Sequence, residues 1–173
     1  MPLQQIEYNY CNNPLEVPNL TYFNGLGGFD SENNSYVIVL KDYINTPAPW
    51  INVISNENFG FQVSENGVGY TWNINSRENK LTRWSNDPVR DSECEALFLR
   101  DEVTGCVFGI SPKPFRDNGE YIIEHGLGYS CFKHSAYGIQ GSMTMFVPKE
   151  DHVKIIKIKL KNISNQERKI SLT

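Results

Sequence analysis

The sequence predicts an all-β protein, an antiparallel β-sandwich. Three observations point there. About ten to twelve short apolar runs recur at the turn spacing typical of sandwiches. Aromatic residues make up 12% of the chain, nearly all of them Tyr and Phe, and aromatics favour strands. No amphipathic helix of useful length can be drawn anywhere. The chain has 173 residues, enough for one domain with a real core. With 39% hydrophobic and 21% charged residues it is not a disordered composition.

Residues 1 to about 20 read as an irregular lead-in, broken by Pro2, Pro14 and Pro18. The domain then occupies 21–173. The glycines of Asn24-Gly25-Leu26-Gly27-Gly28-Phe29 lack the dinucleotide spacing and no helix follows them, so they are read as turn positions before a strand at Tyr36–Leu40. Short strands follow at Ile51–Ile54 and Phe59–Ser64. Glu65-Asn66-Gly67 is a tight hairpin signal, with Gly69–Trp72 pairing back. Arg77–Trp84 reads as a long amide-rich connection over the sheet, and Ser85-Asn86-Asp87-Pro88 as a turn.

The hairpin at 96–111 is the clearest local pattern: Ala96–Arg100, a turn at Asp101–Gly105, and a return at Cys106–Ile110 stopped by Pro112. Tyr121–Glu124 and Gly128–Lys133 form another, joined through His125-Gly126. Ile139–Val147 follows. In Val153–Lys161 the alternation is strict from Ile156: Ile156, Ile158 and Leu160 face one way, Lys157, Lys159 and Lys161 the other. This is a half-buried strand with a solvated, aggregation-blocking face. Arg168–Thr173 begins one more strand, and an unpaired sheet edge there predicts self-association.

A formal charge of -4 argues against nucleic acid. Cys11, Cys94, Cys106 and Cys131 contain no C-x-x-C pair. No signal peptide and no apolar run of membrane length is visible, so the expected compartment is reducing and cytoplasmic. The sequons at Asn19, Asn33 and Asn162 then carry no glycosylation meaning. His125, Cys131 and His134 are the only candidate metal cluster, and their spacing is not that of a zinc site. His125 is expected in a turn, Cys131 buried and His134 exposed. No G-x-S-x-G elbow exists. Asp87, Asp91, Glu93, Glu95, Asp101 and Glu102 crowd one region, where Asp101-Glu102 is expected to be a solvated turn rather than an acid/base pair.

The remaining candidate site is the stretch from Gly67 to Pro88. Trp72 and Trp84 lie in it and Trp50 precedes it. Tryptophan faces stack on pyranose rings, while Asn, Arg and Glu bond to sugar hydroxyls. The carbohydrate-contact candidates are Trp50, Trp72, Arg77, Glu78 and Trp84. The alternative is that the tryptophans are core and Arg77–Glu78 a surface pair. For Trp72 the strand position favours core, and for Trp84 both readings stand.

Ordered phrases then carry a resemblance. They are Asn24–Phe29, Thr46-Pro47-Ala48-Pro49-Trp50-Ile51-Asn52, Phe59-Gly60-Phe61, Gly69-Tyr70-Thr71-Trp72, Asn75-Ser76-Arg77-Glu78-Asn79 and Trp84–Pro88. Leu99–Glu102 with Thr104-Gly105, His125-Gly126 with Gly128-Tyr129-Ser130, and Phe146-Val147-Pro148 complete the series. In order, they resemble the N-terminal sandwich of the inverting phosphorylases of glycoside hydrolase family 94, formerly glycosyltransferase family 36. Similarity is greatest to the phosphorylase-like region of cyclic β-1,2-glucan synthases and to 1,2-β-oligoglucan phosphorylases. It runs from about Tyr22 to Thr173. Departures are Arg83 before Trp84 in place of Pro, Phe108-Gly109 in place of Trp-Ser, and a basic residue at Lys133 where an acidic one is common.

The resemblance implies a galactose-mutarotase-like super-sandwich that stops short at its C-terminal end. It also implies a catalytic (α/α)6 barrel, absent here, that carries the general-acid aspartate. No catalytic residue and no metal is therefore expected in this chain, and it is not expected to turn over substrate alone. The parent would act on β-linked glucans with inorganic phosphate as co-substrate and no other cofactor. Implied partners are a β-glucan or oligosaccharide, the barrel, and a second copy in a homodimer. If the parent is a synthase, it would be tethered to the inner membrane. A free-standing carbohydrate-binding module and a purely structural domain are the alternative functions.

Overall fold

The computed structural model describes residues 15–85, 87, 89–91 and 95–173. Most of the lead-in, Asn86 and Pro88 of the expected turn, Glu93, Cys11 and Cys94 lie outside the described residues. Twelve strands follow in chain order: β1 (Gly27–Asp30), β2 (Ser35–Leu40), β3 (Ile51–Ser55), β4 (Phe59–Ser64), β5 (Gly69–Asn73), β6 (Leu99–Asp101), β7 (Val107–Phe108), β8 (Tyr121–Gly126), β9 (Tyr129–Ala136), β10 (Ile139–Phe146), β11 (Ile155–Asn162) and β12 (Ile170–Leu172). The described residues contain no helix. All ladders are antiparallel.

One layer is a six-stranded sheet in the order β1-β2-β8-β9-β10-β11. Its register aligns apolar side chains in a continuous row, Ile38–Ile123–Phe132–Met143–Ile158, across five strands. Because side chains alternate faces, that row lies on one side of the sheet. Ile38, Ile123 and Phe132 are completely buried in it. Each such side chain contributes about 1.5–3 kcal/mol by leaving water. The opposing layer is two three-stranded sheets, β3-β4-β5 and β12-β6-β7. Ile54, Phe61 and Val63 from the first and Leu99 and Phe108 from the second close the core over that row.

Several expectations need correction. Gly27 and Gly28 are not turn residues but part of β1. Only Gly25 of this series has positive φ, at 97°. Gly27 is required for close approach instead, since a Cβ there would meet the Val37 carbonyl oxygen at 2.7 Å and the Tyr36 ring at 2.8 Å. The 77–84 stretch is not a long connection over the sheet. Leu81 N donates to Thr71 O at 2.8 Å and Trp72 bridges Lys80, so the chain runs back beside β5.

His125 sits inside β8, not in a turn, and the turn falls at Leu127-Gly128. His134 is buried, not exposed. It is in the Leu40–Tyr121–His134 row, and its ring stacks on Tyr121 at 3.7 Å. Both of its nitrogens face acceptors, the Glu120 carbonyl at 2.8 Å and the Asp117 carboxylate at 3.1 Å, and these bonds make burial tolerable. Asp101 is not solvated either. Its carboxylate is fully buried, pairs with Arg168 and caps the turn through Val103 N and Thr104 N. On β11, Ile156 and Ile158 pack on the core as expected. Leu160 remains exposed, because it lies on the sheet's edge strand opposite side-chain-less Gly141.

Candidate functional site

The β4–β5 register pairs Gly60 with Trp72 and Gln62 with Tyr70, while Phe61 pairs with Thr71. Phe61 is core, so Tyr70 and Trp72 lie on the opposite, outer face of β3-β4-β5. Trp72 lies over Gly60, where a Cβ would meet its ring at 2.5 Å. Hence Trp72 is buried, as the strand position suggested, but it is not between the sheets.

The outer face is built into an aromatic strip. Tyr70 contacts Trp72 at 5.4 Å between centroids and Trp84 at 5.0 Å, at tilts of 46° and 36°. Lys80 Nζ stands 5.8 Å from the Tyr70 centroid and 5.7 Å from that of Trp84. An ammonium so placed is attracted to both rings. Thr71 N donates to Thr82 Oγ1 at 2.9 Å, which ties the returning chain to β5 and delivers Trp84 beside Tyr70. Trp84 keeps 37% of its surface exposed, against 8% for Trp72.

An open groove of about 390 Å³ borders Trp84, with Ala48, Pro49, Ile51, Gln62 and Asp91 on its other sides. Hydrogen bonds hold the loops that shape it. Glu65, at the β4–β5 turn, accepts from Trp50 N at 2.8 Å, from Asn66 Nδ2 at 3.0 Å and from the Thr46 hydroxyl. Burial pushes the Glu65 carboxyl up, and the Thr46 and Trp50 bonds only partly offset this. Asp91 accepts from Ser64 Oγ at 2.8 Å and from Asn66 Nδ2 at 3.2 Å, so one amide bridges two carboxylates. Lys113 Nζ donates to the Asp91 carbonyl at 2.5 Å. A polar-rimmed groove with one exposed aromatic wall can seat the apolar face of a sugar and bond its hydroxyls.

The structure brings two of the five candidates together: Trp72 and Trp84, joined through Tyr70. Trp50 sits elsewhere, edge-on to Tyr36 at 5.9 Å and packed on the core. Arg77 and Glu78 occupy the exposed tip of the turn after β5 and pair with each other at 3.0 Å. Asn75 Oδ1 caps both of their backbone N–H groups at 2.9 Å. Sequence reasoning missed Tyr70, Lys80 and Asp91 as groove or strip residues. Tyr70 was legible: two positions before Trp72 on one strand, it must share its face.

His125 and His134 have structural roles. As described above, His134 is held between Glu120 and Asp117. His125 Nε2–H donates to Trp50 O at 3.1 Å, and Nδ1 then accepts from the Ser130 hydroxyl at 2.9 Å. Burial lowers its pKa to about 4. Among the described residues no three His, Cys, Asp or Glu side chains gather as a metal-binding set. No helix among them is long and apolar enough to cross a membrane.

Residues 34–173 match the family model described as glycosyl hydrolase 94, supersandwich domain. The chain belongs to that family. It is 36% identical over 157 residues to the cyclic beta-(1,2)-glucan synthase NdvB of Rhizobium meliloti (strain 1021), covering 90% of this chain and 6% of that protein. It is 34% identical over 148 residues to N,N'-diacetylchitobiose phosphorylase of Vibrio furnissii, covering 84% of this chain and 18% of the relative. Identity to 3-O-beta-D-glucopyranosyl-beta-D-glucuronide phosphorylase of Paenibacillus borealis is 26% over 147 residues, with the same coverage of 84% and 18%. The chain thus spans less than a fifth of the length of these relatives.

Proposed function

We propose that this supersandwich is a non-catalytic part of an enzyme acting on β-linked glucans with inorganic phosphate, and that it contacts the glucan through its outer aromatic strip. The observation that carries this reading is the Tyr70–Trp84 stack at the wall of an open groove. A half-exposed indole held in place by a second ring is a preorganised platform for a pyranose. Its neighbours Gln62 and Asp91 supply hydroxyl partners. Arg77 and Glu78, on the turn that leads into Trp84, would reach a longer oligosaccharide.

The test is calorimetric titration of the chain with β-1,2-gluco-oligosaccharides. Saturable binding that Trp84→Ala abolishes supports the reading. Binding unchanged in that variant, or none at millimolar sugar, overturns it. Incubation with the same oligosaccharides and phosphate should release no glucose 1-phosphate.

A second reading has its own observation. Ile51 and Val53 are half-exposed on the same outer face of β3. That apolar rim suits protein contact, with the barrel of the parent or a second copy. A sedimentation-velocity dimer lost in Val53→Asp, with no sugar binding, would favour it.

A further inference from the structure

We propose that the outer face of the six-stranded sheet carries a second binding site, for a phosphate monoester of sugar-phosphate size, between Lys133, Lys159 and Lys161. The alternation of β11 turns its lysines away from the core, and this much is a common solvated face. What is uncommon is the shape beneath them. Lys133, Lys159 and Lys161 line a cleft of about 440 Å³ whose floor includes Gln140 and Ser142 and whose wall includes Leu15.

The register explains the convergence. Lys133 pairs with Ser142, and Ser142 with Lys159, so the two lysines flank one serine across three adjacent strands. At the usual strand spacing their Cα atoms are about 10 Å apart. Lys161, two residues beyond Lys159, is on the same face and opposite Gln140. Three flexible stems can therefore bring ammonium groups to one point, which is how lysine binds phosphate.

Charge and polarity fit that ligand. The chain as a whole is acidic, at -4, so this is a local reversal of sign. Among the described residues only Lys133 of the three forms an ion pair, a loose one of 3.8 Å to Glu124. Lys133 is answered by Glu124 and by the nearby Asp30, so the two positive charges without an ion-pair partner among the described residues are those of Lys159 and Lys161, matching a phosphate monoester near neutrality. The cleft is much larger than a bare phosphate, and Gln140 and Ser142 add neutral donors and acceptors for hydroxyls.

The experiment titrates the chain at low salt with glucose 1-phosphate, glucose 6-phosphate, inorganic phosphate, glucose and a single-stranded oligonucleotide. A hexose phosphate should bind saturably and more tightly than inorganic phosphate, with glucose silent. K159Q/K161Q should weaken it about tenfold, and Lys133→Gln should do so independently. Lys157→Gln is the control, on the same strand face but outside the cleft lining, and should leave affinity unchanged. The exposed edge-strand substitutions at Lys157, Lys159 and Lys161 should also leave the melting temperature unchanged. No hexose-phosphate binding, equal affinity for inorganic phosphate, tighter binding of the oligonucleotide, or equal loss in Lys157→Gln would each overturn the proposal. Titration with neutral oligosaccharide reads the Trp84 groove separately, so one site can fail while the other stands.

Discussion

The Trp50 carbonyl accepts the His125 Nε2–H at 3.1 Å, across 75 residues of sequence. The bond joins the extended segment before β3 to the C-terminal end of β8 and fixes the His125 tautomer. With Nε2 donating, Nδ1 is left to accept from Ser130, whose Oγ also takes an Asn52 amide at 3.1 Å. The ring is thus neutral and fully used. A second proton on Nδ1 would require the Ser130 hydroxyl to turn from donor to acceptor.

A pH dependence follows. Burial depresses the folded-state pKa of His125 from 6.5 to about 4, so between these values the unfolded chain binds the extra proton and the folded one does not. Stability is therefore complete above about pH 6.5, falls as pH falls toward 4, and levels below it, with a total on the order of 3 kcal/mol. Glu65 works the other way, because burial raises its pKa and its contribution grows as pH falls. Urea unfolding of wild type and His125→Gln at pH 7.5 and pH 4 separates the two. The difference between the proteins should shrink on acidification, and a constant difference would refute the assignment.

The Trp50–His125 pair was hidden in the sequence for a physical reason. The strands were legible wherever alternation was strict, as in β11, or where a turn signal stood between two apolar runs, as in β6–β7. The end of β8 was misplaced by two residues because His125-Gly126 reads as a turn dipeptide, and β9 runs from Tyr129 to Ala136 rather than from Gly128 to Lys133. Counting alternation outward from Phe132 would have put Ser130 and His134 on the core face, but polar residues discourage that count. They are admitted there because Asn52, Asp117 and the Glu120 carbonyl satisfy them. Of the site, Trp84 was legible as a candidate and Tyr70 could have been. The Asp91–Asn66–Glu65 bridge could not, since it depends on where separate loops meet.

Asp101 and Arg168 make a sharper test of what sequence hides. The pair is buried, 67 residues apart, and ties β12 to the β6 turn. Burial alone would raise the Asp101 carboxyl, but the Arg168 bonds and charge hold it below its usual range. Arg168→Met leaves the carboxylate buried without its cation and should cost about 3–5 kcal/mol. Asp101→Asn in that background should recover part of the loss, measured by chemical denaturation. A single variant within experimental error of wild type would contradict a buried ion pair.

Gly60 is predicted to be intolerant for a reason unrelated to backbone freedom. Its Cα lies against the Trp72 ring on one side and Ser55 on the other, and a Cβ would stand 2.5 Å from each. Gly60→Ala should destabilise by about 1–3 kcal/mol through overpacking. It should also shift the tryptophan emission as Trp72 is pushed toward solvent. Because Trp72 and Trp84 both contact Tyr70, the same variant should weaken oligosaccharide binding if the strip is the platform.

Arg77 and Glu78 give the opposite expectation for stability. Their side chains are 88% and 70% exposed, and the turn around them is held by Asn75 rather than by their own charges. Exposed pairs of this kind add little. Arg77→Ala should change unfolding free energy by no more than about 0.5 kcal/mol. Any effect on sugar affinity must then be direct contact, because the fold is untouched. Asn75→Ala is the complementary variant: it removes the cap from two backbone N–H groups, loosens the turn that leads back along β5, and should weaken binding through Trp84 even with Arg77 in place. If Arg77→Ala lowers affinity for a tetrasaccharide but not a disaccharide, the tip reaches sugars beyond the groove. If neither length responds, Arg77 and Glu78 serve only as a solvated turn.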